Sequence, residues 1–223
     1  MQASVPQNDS RHPLTRLLGN GGNIRVLRAL AADDLPLSVT QLAERCGLTP
    51  QGTRLALEPL LEGRLVRLLG GARARLFTIE ARHPFAKSIR TLFAQEQAQW
   101  DRLHQALRGM LHKDREVVAA WYLEPAAGDA ASDGRSLSVW LVLSESPVEP
   151  LVAACQERYA GLEPSAWTAC SFRGLSLADL HALSADPHWW QANTAQARVL
   201  KGLDPSVLVL RSRKPAQAAL FGP

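Results

Sequence analysis

The sequence predicts a mixed α+β protein with three parts: a small helical unit that ends in a hairpin, a long connecting helix, and a C-terminal α/β domain. Three observations predict this organisation. Helix caps and glycine turns punctuate residues 13–82, apolar residues recur every three or four positions through residues 83–112, and strand-like runs alternate with helical segments over residues 113–206. Residues 1–12 are expected to be a disordered tail, and residues 207–223 a flexible one.

Composition is typical of a globular protein and excludes several other classes. Of the 223 residues, 46% are hydrophobic and 21% are charged, which suits a packed core. No apolar run reaches the length of a membrane span, and the polar start MQASVPQNDSRHP has no apolar signal core, so a cytoplasmic protein is expected. Three cysteines without CxxC spacing predict neither a disulfide framework nor a structural zinc site.

The excess positive charge is concentrated near the N-terminus. Residues 11–82 carry eleven arginines, no lysine and six acidic residues, whereas residues 83–223 carry fourteen basic and fourteen acidic residues. The planar guanidinium group suits phosphates and guanine edges. An arginine-rich genome would give the same bias. Composition alone therefore leaves open whether the arginines bind nucleic acid or reflect the genome.

The first predicted helix lies within Leu14–Leu30, where leucines and an isoleucine fall near helical spacing. The cluster Gly19-Asn20-Gly21-Gly22 interrupts it, which predicts a short lead-in and a helix that starts at Asn23.

Two capped helices follow. Ser38 is a predicted N-cap, with Gln41 completing a capping box and Gly47 at the C-terminal turn. Thr49 caps the next helix, and Pro50 occupies its first turn.

That helix carries Leu55, Leu57, Leu60 and Leu61 and stops at Gly63. Pro59 is expected to kink it or end it one turn early. Two strands, Leu65–Leu69 and Arg73–Ile79, flank the turn Gly70-Gly71.

The stretches SVTQLAERCGLTPQGTRLALEPLLEGRLV and LLGGARARLFTI resemble the winged helix-turn-helix of bacterial transcription regulators. The resemblance implies double-stranded DNA as partner, with the second helix of the motif in the major groove. Its exposed candidates for base or phosphate contact are Thr49, Gln51, Thr53 and Arg54. In the wing, Arg73 and Arg75 share one face and would reach phosphates or a narrow minor groove. Capping and a solvated hairpin edge are the alternatives for these residues.

The connecting helix has an apolar seam at steps of three and four, with Glu96 as its polar member. The seam consists of Phe85, Ile89, Leu92, Phe93, Trp100, Leu103, Leu107 and Met110. It either packs on its own chain or pairs with its copy; the homodimer is favoured because dimeric regulators read paired half-sites. His104 and His112 lack a third ligand, so no metal site is expected there.

The C-terminal domain alternates strands and helices. The predicted strands are Val117–Leu123, Leu137–Leu143 and Ala166–Phe172, and the predicted helices are Pro147–Tyr159, Ser176–Leu183 and Pro187–Lys201. Ser176 and Asp179 form a further capping box.

This order, with the ending ADPHWWQANTAQARVLKG, resembles the minimal nucleotidyltransferase domain of the DNA polymerase beta-like superfamily. That resemblance implies a Gly-Ser pair and an Asp-x-Asp pair with a third carboxylate, which together hold triphosphate and two cations. Here the corresponding places hold Leu123-Glu124, Ser138-Val139-Trp140 and the acid-free Trp167-Thr168-Ala169-Cys170. No catalytic residue, metal ion or cofactor is therefore expected.

The resulting expectation is a sequence-specific DNA-binding regulator from bacteria, whose nucleotidyltransferase-like domain is inactive and serves dimerisation or the sensing of a small ligand or protein partner. One rival is an active nucleotidyltransferase with displaced carboxylates; Glu124, Asp129 and Asp133 are the nearby acids, and their spacing favours a solvated loop. The other rival is an antitoxin-like protein-interaction module. Trp167, Trp189 and Trp190 are expected to pack, with ligand stacking as the alternative.

Overall fold

The computed structural model describes residues 18–71, 75–124, 136–145, 147–161 and 168–212. The chain divides into two compact units, and the boundary lies between Trp100 and Asp101, inside the long helix. Among the helices of the described residues, none has the length and apolar character needed to span a bilayer.

The N-terminal unit is a winged helix-turn-helix followed by the first half of a long helix, as the sequence predicts. Its elements are α1 (Gly21–Ala32), β1 (Leu37–Ser38), α2 (Val39–Cys46), α3 (Pro50–Glu62), β2 (Val66–Leu69), β3 (Leu76–Ile79) and α4 (Ala86–His112). The three strands form an antiparallel sheet in the order β1-β3-β2.

α1 begins two residues earlier than predicted because Asn20 caps it. The Asn20 Oδ1 atom accepts from the backbone N–H groups of Gly22, at 3.2 Å, and Asn23, at 3.5 Å. A cap of this kind satisfies N–H groups that the start of a helix leaves open. Gly21 and Gly22 are therefore helical and do not belong to the predicted interruption.

The caps of α2 and the N-cap of α3 have the predicted structure. The Gln41 N–H donates to Ser38 Oγ at 3.3 Å, and the Ser38 N–H donates to Gln41 Oε1 at 2.9 Å. Gly47 ends α2 in the left-handed region, with φ 62°. Thr49 Oγ1 then accepts from the Gly52 N–H at 3.0 Å. These short-range bonds fix both ends of α2 and the start of α3.

Of the two effects expected of Pro59, a kink or an early end, the early end does not occur, because α3 continues to Glu62. Proline removes one N–H from the helical ladder. The turn that follows is nevertheless held by the burial of Leu60 and by the Gly63 N–H, which donates to the Pro59 carbonyl at 3.0 Å. Packing of the last turn outweighs the single missing hydrogen bond.

The C-terminal end of α3 closes through two backbone hydrogen bonds. The Arg64 N–H donates to the Leu61 carbonyl at 2.9 Å, and the Leu65 N–H donates to the Leu60 carbonyl at 3.0 Å. This is the Schellman pattern, which requires a left-handed residue. Arg64 occupies that place with φ 56°, where glycine is the usual residue.

The wing is the predicted hairpin, with shorter strands. Val66 pairs with Ile79, and Leu69 pairs with Leu76. β2 starts one residue later than predicted, and β3 starts at Leu76 instead of Arg73. Residues 72–74, which include Arg73, lie outside the described residues.

One core connects the elements of this unit. Val26 and Leu30 of α1, Leu42 of α2 and Leu57 of α3 are at most 2% exposed. They form a single cluster that also includes Phe93 of α4. α3 is thus held by one face, which leaves its opposite face available.

α4 agrees with the predicted long helix to within two residues at each end. Most of its apolar seam is already buried in a single chain: Phe93 belongs to the N-terminal core, and Leu107 is 1% exposed. Phe85 does not belong to the seam, because it precedes the helix and is 65% exposed. This burial favours packing within the chain over pairing of α4 with its copy.

The C-terminal unit is a mixed sheet covered by helices, in agreement with the predicted α/β domain. After the end of α4 its elements are β4 (Val117–Leu123), β5 (Ser136–Leu143), α5 (Glu149–Gly161), β6 (Ala169–Ser176), α6 (Leu177–Leu183), α7 (Pro187–Thr194), β7 (Arg198–Lys201) and α8 (Pro205–Ser212). The strand order is β6-β5-β4-β7, with β5 and β6 parallel and the other pairs antiparallel. The predicted capping box of Ser176 and Asp179 is present at α6.

The predicted helix from Pro187 to Lys201 is wrong in its second half. α7 ends at Thr194, and Arg198–Lys201 is the edge strand β7, paired with β4. Leu200 is 2% exposed in this strand. Pairing with β4 supplies both burial and backbone hydrogen-bond partners, which overrides the local helical pattern.

The predicted flexible tail also begins too early. The described residues continue through α8, where Leu208 and Val209 are 7% and 6% exposed. Both pack in the aromatic-rich cluster that contains Trp121 and Trp140. Residues 207–212 therefore belong to the folded unit, and Arg213 and Lys214 lie outside the described residues.

Candidate nucleic-acid interface

Three of the four residues predicted to contact nucleic acid at α3 are exposed. Thr49 is one of them, but its hydroxyl is engaged as the cap of the helix. Gln51 and Arg54 lie in the first half of α3, and their side chains form no hydrogen bond or ion pair with a described residue. These two side chains are therefore the uncapped polar groups that the first half of α3 offers to a partner.

The prediction that Thr53 is an exposed contact residue is wrong. Its side chain is fully buried, and its Oγ1 donates to the Thr49 carbonyl at 3.0 Å. Thr53 lies three and four residues before Ala56 and Leu57, which are core residues. This spacing places it on the buried face. The same spacing was readable in the sequence.

The exposed face of α3 also carries residues that sequence reasoning missed. Leu55, one of the predicted apolar positions, is 55% exposed, and Glu58 and Glu62 follow it along the helix. With Gln51 and Arg54 they form the exposed stripe, defined here as those five residues. The stripe is polar and cationic near the start of α3, apolar in the middle and acidic near the end.

The start of α3 is the end suited to an anion. No acidic residue lies in its first turn. The partial positive charge of the helix N-terminus is thus not offset there, and it adds to the charge of Arg54. At the other end, Glu58 and Glu62 would repel phosphates. Electrostatics therefore orient the first two turns of α3 towards a polyanion.

Ion pairing separates the arginines of the N-terminal unit into two groups. Those that bind a carboxylate of the same unit are Arg28 with Glu96 (2.6 Å), Arg45 with Asp33 (2.6 Å), Arg67 with Glu80 (3.6 Å) and Arg90 with Asp34 (3.3 Å). The hydrogen bond from Arg45 lowers the pKa of Asp33, which keeps that carboxylate charged. The charge of these arginines is largely compensated within the fold.

A second group of arginines is exposed and forms no ion pair within the described part of the chain. It consists of Arg54, Arg64, Arg75 and Arg82. Arg54 lies on α3, Arg64 follows its C-terminus, and Arg75 precedes β3 in the wing. Three of these four unpaired arginines thus lie on the helix-turn-helix or the wing, and Arg82 lies between the wing and α4.

A cavity of about 510 Å³ lies between α1, α2 and α4 of the same unit. Arg28, Arg45 and Arg90 line it, together with Phe93 and several alanines. Each of the three arginines already binds a carboxylate. Arg28 also lies 5.2 Å from the centroid of the Phe93 ring.

In the C-terminal unit, the positions implied for metal-binding aspartates are part of the packing. Ser138 and Trp140 lie on β5, and Trp140 is 6% exposed. The Trp140 ring stacks on Trp121, with centroids 6.5 Å apart, and meets Trp189 edge-on at 5.4 Å. The guanidinium of Arg173 lies 5.5 Å from the Trp140 ring centroid. Trp140 of β5 thus belongs to an aromatic cluster, and its indole offers no oxygen ligand for a cation.

Among the described residues, no group of three His, Cys, Asp or Glu side chains is placed to hold a metal ion. His104 packs edge-on against Tyr122, with centroids 5.6 Å apart, and His112 is exposed at the end of α4. Asp129, Asp133 and Trp167 lie outside the described residues.

The three cysteines are buried and free. Burial raises the pKa of Cys46 and of Cys170 to about 11, and it also raises the pKa of Cys155. Burial is likewise the main cause of a raised pKa at Tyr159. These groups stay protonated near neutral pH and act as core side chains instead of nucleophiles.

No protein-family model and no curated protein matches the sequence. Among solved structures, the N-terminal part resembles winged helix-turn-helix regulators of the MarR family. A MarR family regulator from Silicibacter pomeroyi is 23% identical, with 44% of this chain and 70% of that chain covered and a TM-score of 0.37.

Two other structures give similar values. A ZitR variant from Lactococcus lactis is 19% identical over 40% of this chain and 59% of its own, with a TM-score of 0.33. Staphylococcus aureus MarR, in complex with salicylate and kanamycin, is 16% identical over 47% and 68%, also with 0.33. The chain thus spans about three fifths of the ZitR length. Such low scores describe a partial resemblance in shape that covers less than half of the chain.

Proposed function

We propose that the chain is a sequence-specific DNA-binding transcription regulator. The observation that carries the proposal is the exposed first half of α3, where Gln51 and Arg54 extend from a helix anchored in the core and have no partner among the described residues. A helix in this motif enters the major groove with its first turns facing the base edges. Glutamine pairs with adenine, and arginine pairs with guanine, each through two hydrogen bonds.

Backbone contacts in this proposal come from the exposed arginines outside α3. Arg75 in the wing and Arg64 after α3 are exposed, and neither forms an ion pair with a carboxylate in the described part of the chain. Phosphate contacts of this type set affinity and position, whereas base contacts set sequence preference. Arg73 keeps the same proposed role as its neighbour Arg75 in the wing.

The C-terminal unit is proposed to be a catalytically silent nucleotidyltransferase-like domain. Two features support this assignment. The order strand, strand, helix, strand, helix from β4 to α6 follows the resemblance noted in the sequence. The position of the second aspartate holds Trp140, packed between Trp121 and Trp189, and a buried indole offers no ligand for magnesium. Magnesium-dependent incorporation of labelled nucleotide by the purified chain would contradict this assignment.

A homodimer that reads two half-sites completes the proposal. Because most of the seam of α4 is buried in the single chain, the contacts between copies would come from other surfaces. The C-terminal unit is proposed to supply them or to sense a small ligand or a protein partner.

The test of DNA recognition uses duplexes selected from a randomised library by the purified protein. We expect Arg54→Ala to weaken binding to the selected duplex by about 1–3 kcal/mol, because a bidentate contact with one base is lost. Arg54→Lys is the matched control for charge: it should keep most of the affinity for a scrambled duplex and still lose preference for the selected one. Affinity is measured by fluorescence anisotropy at one fixed salt concentration. Unchanged binding of Arg54→Ala to the selected duplex would refute the role of Arg54.

A further inference from the structure

Leu55 is a large apolar side chain in the middle of the surface proposed to meet DNA. It is 55% exposed, whereas the next two residues of α3, Ala56 and Leu57, are 4% and 2% exposed. A single exposed leucine on a soluble protein needs no explanation. The position of Leu55 does need an explanation, because the charged side chains of Arg54 and Glu58 flank it on the exposed stripe.

Helix geometry places Leu55 beside both proposed base-reading residues. Gln51 lies four residues before it, on the same face and about 6 Å away along the helix axis. That distance corresponds to roughly two base-pair steps of 3.4 Å. Arg54 is adjacent to Leu55 in sequence and three residues after Gln51. The three side chains therefore form one continuous patch of a size that two or three neighbouring base pairs can cover.

The acidic end of the stripe limits the patch to these three residues. Glu58 lies three residues after Leu55, and Glu62 lies one turn further. Carboxylates close to the sugar–phosphate backbone are repelled, so α3 is expected to tilt its second half out of the groove. Leu55 is then the last side chain of α3 that reaches the base edges.

The chemistry of the major groove offers one apolar target for a leucine. Guanine, cytosine and adenine present hydrogen-bond donors and acceptors there, and only thymine adds a methyl group at C5. A leucine packed on a polar edge would leave that edge without its hydrogen-bond partner. Packing on a methyl group instead removes apolar surface of both groups from water.

We propose that Leu55 is a specificity residue that packs on the C5 methyl of a thymine, next to the base pairs contacted by Gln51 and Arg54. This inference rests on the proposed DNA-binding function and adds one requirement to it: the half-site contains a thymine whose methyl group, as distinct from its hydrogen-bonding groups, contributes to affinity.

The experiment replaces each thymine of a selected duplex, one at a time, with deoxyuridine, which lacks only the methyl group. The full-length wild-type chain is expected to lose affinity about fourfold at one position in each half-site, the effect of one buried methyl group. Leu55→Ala should bind the unmodified duplex more weakly than wild type and be indifferent to deoxyuridine at that same position. Leu35→Ala, which removes a leucine that is 70% exposed and precedes α2, should behave as wild type.

The outcomes distinguish this inference from the function on which it rests. If wild-type protein selects no duplex, the DNA-binding proposal fails and the inference fails with it. If selection succeeds but Leu55→Ala keeps the full wild-type response to deoxyuridine at every thymine, only the inference is overturned. Circular dichroism of Leu55→Ala is expected to match wild type, since the side chain lies outside the core. If it does not match, the deoxyuridine substitutions are repeated with Leu55→Met. This variant keeps a large apolar side chain and should lose affinity at the same thymine as wild type.

Discussion

Arg64 combines an unfavourable backbone conformation with a side chain that the fold does not use. Among the described residues other than glycine, it is the one with positive φ, at 56°. Its N–H closes the Schellman turn at α3, but its exposed guanidinium forms no ion pair within the described part of the chain. A residue kept at a strained position without a packing role is a candidate for contact with a partner.

We therefore expect Arg64→Gly to stabilise the protein by about 1 kcal/mol, because glycine adopts the left-handed conformation without a Cβ clash. Arg64→Ala removes the same side chain and keeps the strain, so it should not share the gain. Urea unfolding followed by tryptophan fluorescence measures the difference between the two variants. Equal stability of Arg64→Gly and Arg64→Ala would show that the backbone at this position is not strained.

Single residues of the candidate site could be predicted in type but not always in orientation. The sequence predicts the caps at Ser38 and Thr49 because they depend on neighbours two to four residues away, and both are confirmed. Thr53 is predicted to be exposed and is buried, whereas Leu55, one of the four leucines noted in the helix, is 55% exposed. A threonine can be buried when its hydroxyl bonds to the preceding turn, and residue type alone then misleads about which face is exposed.

At the scale of elements, one side chain occupies part of an edge of the C-terminal sheet. β6 is an edge strand, and the amide of Gln156 on α5 accepts from the Phe172 N–H at 3.3 Å and donates to the Cys170 carbonyl at 3.1 Å. The Gln156 amide thus takes the place of the peptide group of a neighbouring strand. Unpaired strand edges invite pairing with other chains, and a side chain in this place blocks it.

Gln156→Ala should destabilise the protein by about 1–2 kcal/mol, since two hydrogen bonds are lost. It should also increase concentration-dependent self-association, because the backbone of β6 becomes available. Glu157→Ala, at the neighbouring exposed position of α5, is the control and should change neither property. Urea unfolding and sedimentation velocity measure the two effects. A Gln156→Ala protein with wild-type stability and sedimentation would mean that Gln156 does not protect the edge.

Elements that depend on distant partners were the ones that local sequence patterns could not predict. α2, α3, α4 and α6 carry their own caps or periodicity and are confirmed. β7 was predicted as helix because its few residues follow a helical pattern, and its strand conformation comes from pairing with β4, about 80 residues away in sequence. The sequence predicts a tail from residue 207, whereas most of α8 lies beyond that point and is folded, because it packs on the cluster around Trp121.

At the scale of the whole molecule, the distribution of charge decides how binding should respond to salt. A net charge of +4 attracts any polyanion, but only arginines that contact phosphates release counterions on binding. Arg75 is exposed in the wing without an ion pair in the described part of the chain, whereas Arg45 carries the same charge and binds Asp33 at 2.6 Å. These two positions separate net charge from local contact.

Both Arg75→Ala and Arg45→Ala lower the net charge by one. We expect Arg75→Ala to reduce the slope of log affinity against log salt by about 0.9 for each chain bound, the value for one lost phosphate contact. Arg45→Ala should leave the slope close to that of wild type, because Arg45 is engaged with Asp33 and lies outside the proposed interface. Anisotropy titrations of one selected duplex over a range of salt concentrations give both slopes. An equal reduction in the two variants would mean that DNA responds to the total charge of the chain, and the wing would then lose its proposed role in anchoring the backbone.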